Sequence, residues 1–185
     1  SGGSIDANVK GYAPTNGPGS STGQNPFPGA SYGGCGGIGV RTYGSATAPV
    51  DAGSGAWSIR GGGVIRVNAS GMITIHGALA ANGGGTSTSG GSGGGVYLTC
   101  TTIAGTGGVV TANGGTGFGP SGGRGGGGGR IAVLYNPAAQ ASLPVPDVAF
   151  HAAGGIVTDS GGKPTGGDLG YYGTSARSTS PTAGS

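Results

Sequence analysis

Five aspartates, two histidines, two cysteines and seven tyrosines carry most of the reactive chemistry this 185-residue chain can offer, and their spacing decides how much of it is usable. The acids are Asp6, Asp51, Asp147, Asp159 and Asp168, with no Glu. Hydrolysis or elimination on a sugar needs paired carboxylates, or an acid with basic partners, converging on one face. Only Asp159 and Asp168, on either side of Lys163, share a loop, and "TDSGGK" and "GGDLG" read better as turns. A calcium site needs several oxygen ligands, and no dense Asp repeat supplies them. His76 and His151 end comparable apolar stretches and could lie on neighbouring repeats. Two imidazoles with no clear third ligand do not make a zinc site, and imidazoles facing solvent are the simpler expectation. The glycine runs lack the Gly-Lys-Ser/Thr of a phosphate loop, and no serine stands in a nucleophile elbow. The chain is therefore expected not to be an enzyme, with no catalytic, cofactor-binding or metal residues.

Recognition by aromatic rings is what remains. Tyr12, Phe27, Tyr32, Tyr43 and Trp57 fall within residues 9–60, while Tyr171 and Tyr172 lie near the end. Rings offer large contact area at low entropic cost, which makes Tyr12, Tyr32, Tyr43, Tyr171 and Tyr172 candidate ligand or partner contacts. Trp57 suits the interior of an irregular cap. Cys35 and Cys100 either pair as a disulfide in an oxidising compartment or remain two buried thiols.

Composition narrows the class. A net charge of +3, dispersed along a chain in which 7% of residues are charged, gives no basic face for nucleic acid. No apolar run is long enough for a membrane helix and no signal peptide is evident, so the sequence reads as a processed or excised segment. Gly 51 and Pro 11 make up a third of the residues, a proportion usual in low-complexity chains. The scarcity of charge and the clustering of apolar residues in short β-branched runs argue for order in the middle of the chain. Scarce Lys, absent Glu and abundant Gly, Ser, Thr and Asn suit an extracellular or cell-surface protein.

A repeat lies inside the glycine. "GGGVIRVNASGMITIHGALAANGGG" (61–85) matches "GGGVYLTCTTIAGTGGVVTANGGTG" (93–117), and a third copy opens at "GGGRIAVLYN" (127–136) and closes, after a Pro-containing insertion, at "FHAAGG" (150–155). "IDANVKG" (5–11) matches the tail of a unit. This alignment starts the units at Val64, Val96 and Arg130. Val64, Arg66 and Asn68 alternate with Ile65, Val67 and Ala69, the period of a strand, and no helical stripe lasts two turns. Essentially no helix is expected.

A strand with one apolar face cannot bury it alone, so the units must stack, and the linking segments must be thin and conformationally free. Glycine allows adjacent backbones close enough to hydrogen-bond directly. The excursions after Asn8, Asn82, Asn113 and Ala153 should then form a glycine-rich layer beside the strands, with "GGTSTSGGSGG" the most mobile loop. The recurring Asn suits left-handed geometry before Gly, with an amide bridge between repeats as the alternative.

With these motifs the sequence resembles the long glycine-rich repetitive surface proteins of environmental bacteria, over roughly residues 1–155 and with "GGDLGYYG" (166–173) as a degenerate further strand. The resemblance implies an extracellular, β-helix-like, adhesin-type module without an assigned activity, and no catalytic residue carries over from it. A looser similarity is to polyglycine-packing phage adhesins and insect antifreeze proteins.

The expected fold is all-β: a short parallel β-helix or β-solenoid with glycine-rich, polyproline-II-like segments. It spans residues 1–173, with 9–60 as a long excursion or cap and 174–185 as a Ser/Thr-rich tail. Stacked strands leave edges at both ends, which a cap, the remainder of a larger surface protein or another copy must cover. The expected function is a self-assembling filament or matrix subunit, or an adhesin module, acting by association of strand edges. A polysaccharide-binding module using exposed Tyr is the alternative, and an ice-binding face a third. Ranks of Thr at matched positions would favour ice, but Thr74, Thr99 and Thr111 occupy differing places in the unit.

Overall fold

Short runs of alternating β-branched residues set the architecture. A computed structural model describes residues 2–20, 28–37, 41–118 and 124–158, and the backbone of 174–179. The first strands are β1 (Ser4–Asp6), β2 (Val64–Asn68), β3 (Met72–Thr74) and β4 (Ala78–Ala80). They are followed by β5 (Gly95–Thr99), β6 (Thr102–Ala104), β7 (Thr106–Thr111) and β8 (Gly117–Phe118). The remaining elements are β9 (Arg130–Tyr135), α1 (Pro137–Gln140), β10 (Asp147–His151), β11 (Val157–Thr158) and β12 (Thr174–Thr179).

All pairings between these strands are parallel. The first sheet runs β1-β4-β7-β10, the second β2-β5-β9-β12, and β3-β6 and β8-β11 form two-stranded ribbons. Each strand therefore pairs with its counterpart in the neighbouring repeat, because parallel neighbours need a crossover and the rest of the repeat provides it. The protein is an all-β chain of parallel sheets. Helix is confined, among the described residues, to the single turn of α1, where Asn136 accepts from the amides of Ala138 and Ala139 ahead of Pro137. That turn lies against β6, and Gln140 Oε1 accepts the Ile103 amide at 2.8 Å, so a side chain takes the place of a third short strand.

The register corrects the sequence alignment by one residue. Ile65, not Val64, is level with Val96 and Ile131, and Val67 is level with Leu98 and Val133. These two ladders face inward and join Ile75, Leu79, Ile103 and Val110 in one core. Each fully buried Val, Leu or Ile contributes about 1.5–3 kcal/mol, so the rows at Val96, Leu98, Ile131, Val133 and Val110 hold the two large sheets together. Residues 174–179, at the start of the Ser/Thr-rich tail, form β12, in register with β9 from Thr174 opposite Arg130 to Thr179 opposite Tyr135. The suggested strand at 166–173 lies outside the described residues.

The glycine segments form an ordered layer. Along 90–94, Gly90 donates to Arg124, Gly91 to Gly84, Ser92 to Ser54, Gly93 to Gly127 and Gly94 to Ala81, at 2.7–3.1 Å. The fourth donor returns to the segment reached by the first, and the fifth to that of the second, so the amide direction repeats every three residues. The carbonyls of Gly90, Gly91 and Ser92 accept from Ala30, Gly115 and Gly62. One segment is thus bonded to six others, and the buried Ser92 hydroxyl adds a bond to the Ser54 carbonyl. A Cβ on Gly93 would fall on the Ala112 carbonyl oxygen, and one on Gly115 on that of Gly84. Part of the 9–60 excursion belongs to this layer, since Gly11 bonds Gly61, Gly53 bonds Gly62 and Ala30 bonds Gly90. The segment expected to be most mobile closes as a bonded turn, with Thr86 Oγ1 donating to the Ser89 carbonyl and accepting the Ser89 amide.

Candidate functional site

The junction between first sheet and glycine layer is built on one residue type. The Asn82 amide donates to Asn8 Oδ1 and the Asn113 amide to Asn82 Oδ1, both at 2.7 Å, and the Ala153 amide donates to Asn113 Oδ1 at 2.8 Å. Each Asn side chain thus satisfies the equivalent amide one repeat further on. Left-handed geometry is not its role: among the described residues, the non-glycine positions with positive φ are Val9 and Thr15. The ladder begins at Asp6, whose Oδ1 accepts the Asn8 amide.

The aromatic candidates divide. Tyr32 is fully buried, its ring 4.7 Å from that of Tyr43 and 5.5 Å from the Arg130 guanidinium carbon. Arg130 Nε donates to the Tyr43 carbonyl at 2.9 Å, and the Tyr43 hydroxyl donates to Ala52 O while accepting from Ser54 Oγ. Burial raises the pKa of both phenols; for Tyr32 the nearby Asp51 carboxylate raises it further, and for Tyr43 the Ser54 hydrogen bond opposes the rise. This cluster fastens the first excursion to the start of β9 and leaves Tyr32 no ring face for a ligand. Tyr12 is exposed, Trp57 is half-buried, and Tyr171 and Tyr172 lie outside the described residues.

The other candidates are not brought together. His76 lies just before β4 and its Nδ1 accepts the Thr106 amide, whereas His151 ends β10 beside Thr111. No group of three or more His, Cys, Asp or Glu capable of holding a metal occurs among the described residues, and Asp159, Lys163 and Asp168 lie outside them. The disulfide alternative is not formed. Both cysteines are free: Cys100 is buried at the end of β5, where desolvation raises its thiol pKa, and Cys35 lies half-buried in the glycine layer.

What sequence reasoning missed is an opening in the core. At the β1 end, among the described residues, the first sheet extends one strand further than the second, whose strand there is β2. Beneath β2 and β3 lies an apolar slot of about 450 Å³, lined among others by Ile5, Val67, Ile73, Leu79 and Leu98. The ladders show what is lacking there. Leu98 and Val133 are 0% and 1% exposed while Val67, level with them, is only half-buried; Leu79 and Val110 are 9% and 0% exposed while Ile5, level with them, is 50% exposed. The outer face beside the slot carries Arg66, its guanidinium carbon 6.0 Å from the Tyr97 ring, and β1 ends in Asp6. Apolar exposure at an unpaired strand edge suits a further strand and does not assemble a reactive centre.

Comparison with protein-family models, with curated proteins and with solved structures finds no match for this chain.

Proposed function

We propose that this chain is a structural module of extracellular or cell-surface material, a filament or matrix subunit or a segment of an adhesin, that associates through strand edges and performs no chemical step. The observation that carries the reading is the open apolar slot beneath β2 and β3, flanked by the unpaired edge of β1. Ordered parallel edges accept further strands by the backbone pairing that already joins each repeat to the next.

In this reading the repeats are coils of a short β-solenoid, and the glycine segments follow polyproline-II-like paths. The period of three in the amide directions along 90–94 supports that path, because polyproline II has three residues per turn. The few charges and abundant Gly, Ser, Thr and Asn support an extracellular setting. Negative-stain microscopy combined with sedimentation across a concentration series tests the function: assemblies that grow with concentration, without cofactor or ligand, are expected. Compact monomers at every concentration would overturn it.

A further inference from the structure

The dipeptide Asn-Gly occurs three times, at Asn16-Gly17, Asn82-Gly83 and Asn113-Gly114. In this pair the asparagine side chain is most open to attack by its own backbone, because glycine has no Cβ to shield the nitrogen that follows. That amide nitrogen loses its proton and bonds to the side-chain Cγ. The Cγ–Nδ2 bond breaks, and Nδ2 takes up a proton and leaves as ammonia. Water then opens the five-membered imide at one or other carbonyl, giving aspartate or isoaspartate. Ring closure requires both the side chain and the peptide after it to turn, so hydrogen bonds on those groups decide which site reacts.

The asparagine ladder holds two of the three sites in place. At Asn82, Oδ1 accepts the Asn113 amide and Nδ2 donates to Thr111 Oγ1. The peptide that must turn is bonded on both sides: the Asn82 carbonyl accepts the Val9 amide at 2.9 Å, and the Gly83 amide donates to the Asn113 carbonyl at 2.8 Å. At Asn113, Oδ1 accepts the Ala153 amide, and the Gly114 amide donates to the Ala153 carbonyl at 2.8 Å. Both glycines are also hemmed in by backbone, since a Cβ on Gly83 would fall on the Gly91 carbonyl oxygen and one on Gly114 on that of Gly126.

Asn16 differs at each point. It is exposed, its Nδ2 donates to the nearby Pro14 carbonyl at 2.9 Å, and among the described residues nothing accepts the Gly17 amide. The space beside Gly17 is bounded by side chains, Ser54 Oγ and the Tyr12 ring, instead of backbone. Turning its peptide breaks one backbone bond, from the Gly55 amide to the Asn16 carbonyl, whereas turning the Asn82 peptide breaks those to Val9 and Asn113. We propose that Asn16 is a site of spontaneous deamidation in the native protein, and that the asparagine ladder keeps Asn82 and Asn113 from the same reaction. The inference is independent of association through strand edges. Ageing then places a carboxylate in the exposed turn at 13–16, while the junction between first sheet and glycine layer stays unmodified.

The test is incubation of the 185-residue chain in mildly alkaline water enriched in heavy oxygen, both folded and in denaturant, with each site read by peptide fragmentation. Heavy oxygen marks the imides that open during incubation. In the folded chain Asn16 should react at least roughly tenfold faster than Asn82 and Asn113, which must first open locally, and in denaturant the three rates should converge. Asn16→Gln, whose side chain would have to close a larger ring, should remove nearly all ammonia release from the folded chain. Equal rates at the three sites in the folded chain would overturn the inference, as would labelling at Asn82 or Asn113 ahead of Asn16, or an Asn16 that reacts only in denaturant. Undiminished ammonia release from the Asn16→Gln chain would overturn the assignment to Asn16. An Asn16 that keeps its full lead in denaturant would overturn the protective role of the ladder.

Discussion

The amide of Asn113 donates to Oδ1 of Asn82 at 2.7 Å, and Asn82 Nδ2 in turn reaches Thr111 Oγ1 at 3.0 Å. One side chain therefore ties its own repeat to the next at the point where strand gives way to glycine. Asn82→Ala leaves the Asn113 amide without that acceptor in a half-buried place and should destabilise the fold by about 1–3 kcal/mol, read from chemical denaturation. Thr111→Val, which removes only the acceptor of the outer amide bond, should cost less.

The glycine layer makes a sharper contrast. Gly93→Ala would force a methyl onto the Ala112 carbonyl oxygen, and backbone cannot yield there without breaking the bond from Gly93 to Gly127. Gly71→Ala meets nothing within 4 Å and needs no left-handed backbone. The first should lose more than the roughly 1–3 kcal/mol typical of overpacking, and the second should be neutral or slightly stabilising. Thermal melts followed by circular dichroism separate the two.

Tyr32 and Tyr43 give the fold an alkaline limit. Burial raises both phenol pKa values above the unfolded value of about 10, so the neutral form is the one the folded state favours. Their contribution is complete below that pH and is lost as pH rises towards the folded values, where the unfolded chain has released protons that the native one retains. Stability should therefore be insensitive to these groups at neutral pH and fall above about pH 10. Tyr32→Phe should reduce that fall. A denaturation series against pH, with phenolate absorbance followed alongside, checks both statements.

The thiols supply a labelling prediction. Cys100 is 6% exposed with a raised pKa, and should resist alkylation until the chain unfolds, while the half-buried Cys35 should react first. Intact mass after brief native labelling should show one adduct, and mobility without reductant should match that with it.

Strand segments were legible because period two survives in "VIRVN" and "VYLT", each of which declares a face, and because "RIAVLY" is a short unbroken apolar run suited to burial on both faces. Register was not, because Val64 and Val96 look alike after three glycines, and only the buried ladders show that Ile65 is the true counterpart of Val96. The glycine layer could be anticipated from recurrence, but its six-neighbour bonding depends on backbone directions that glycine does not encode. Asn82 favours turns by type, so its bridging role appears only when two repeats lie side by side. α1 had a local signal in Asn136-Pro137 at the end of β9, a capping residue followed by a first-turn proline. Tyr32 and Tyr43 were indistinguishable by sequence from surface aromatics, and the Arg130 that packs between excursion and strand lies far from both along the chain. The open slot is a property of the stack's end, and no single residue announces it.

The most direct measurement is amide hydrogen exchange of the chain at low and high protein concentration. Association through the open end predicts slower exchange at high concentration confined to residues 4–6 and 64–68, with the buried β5 and β9 unchanged. Exchange at those two segments that is independent of concentration, or protection appearing instead at β10 and β12, would contradict it.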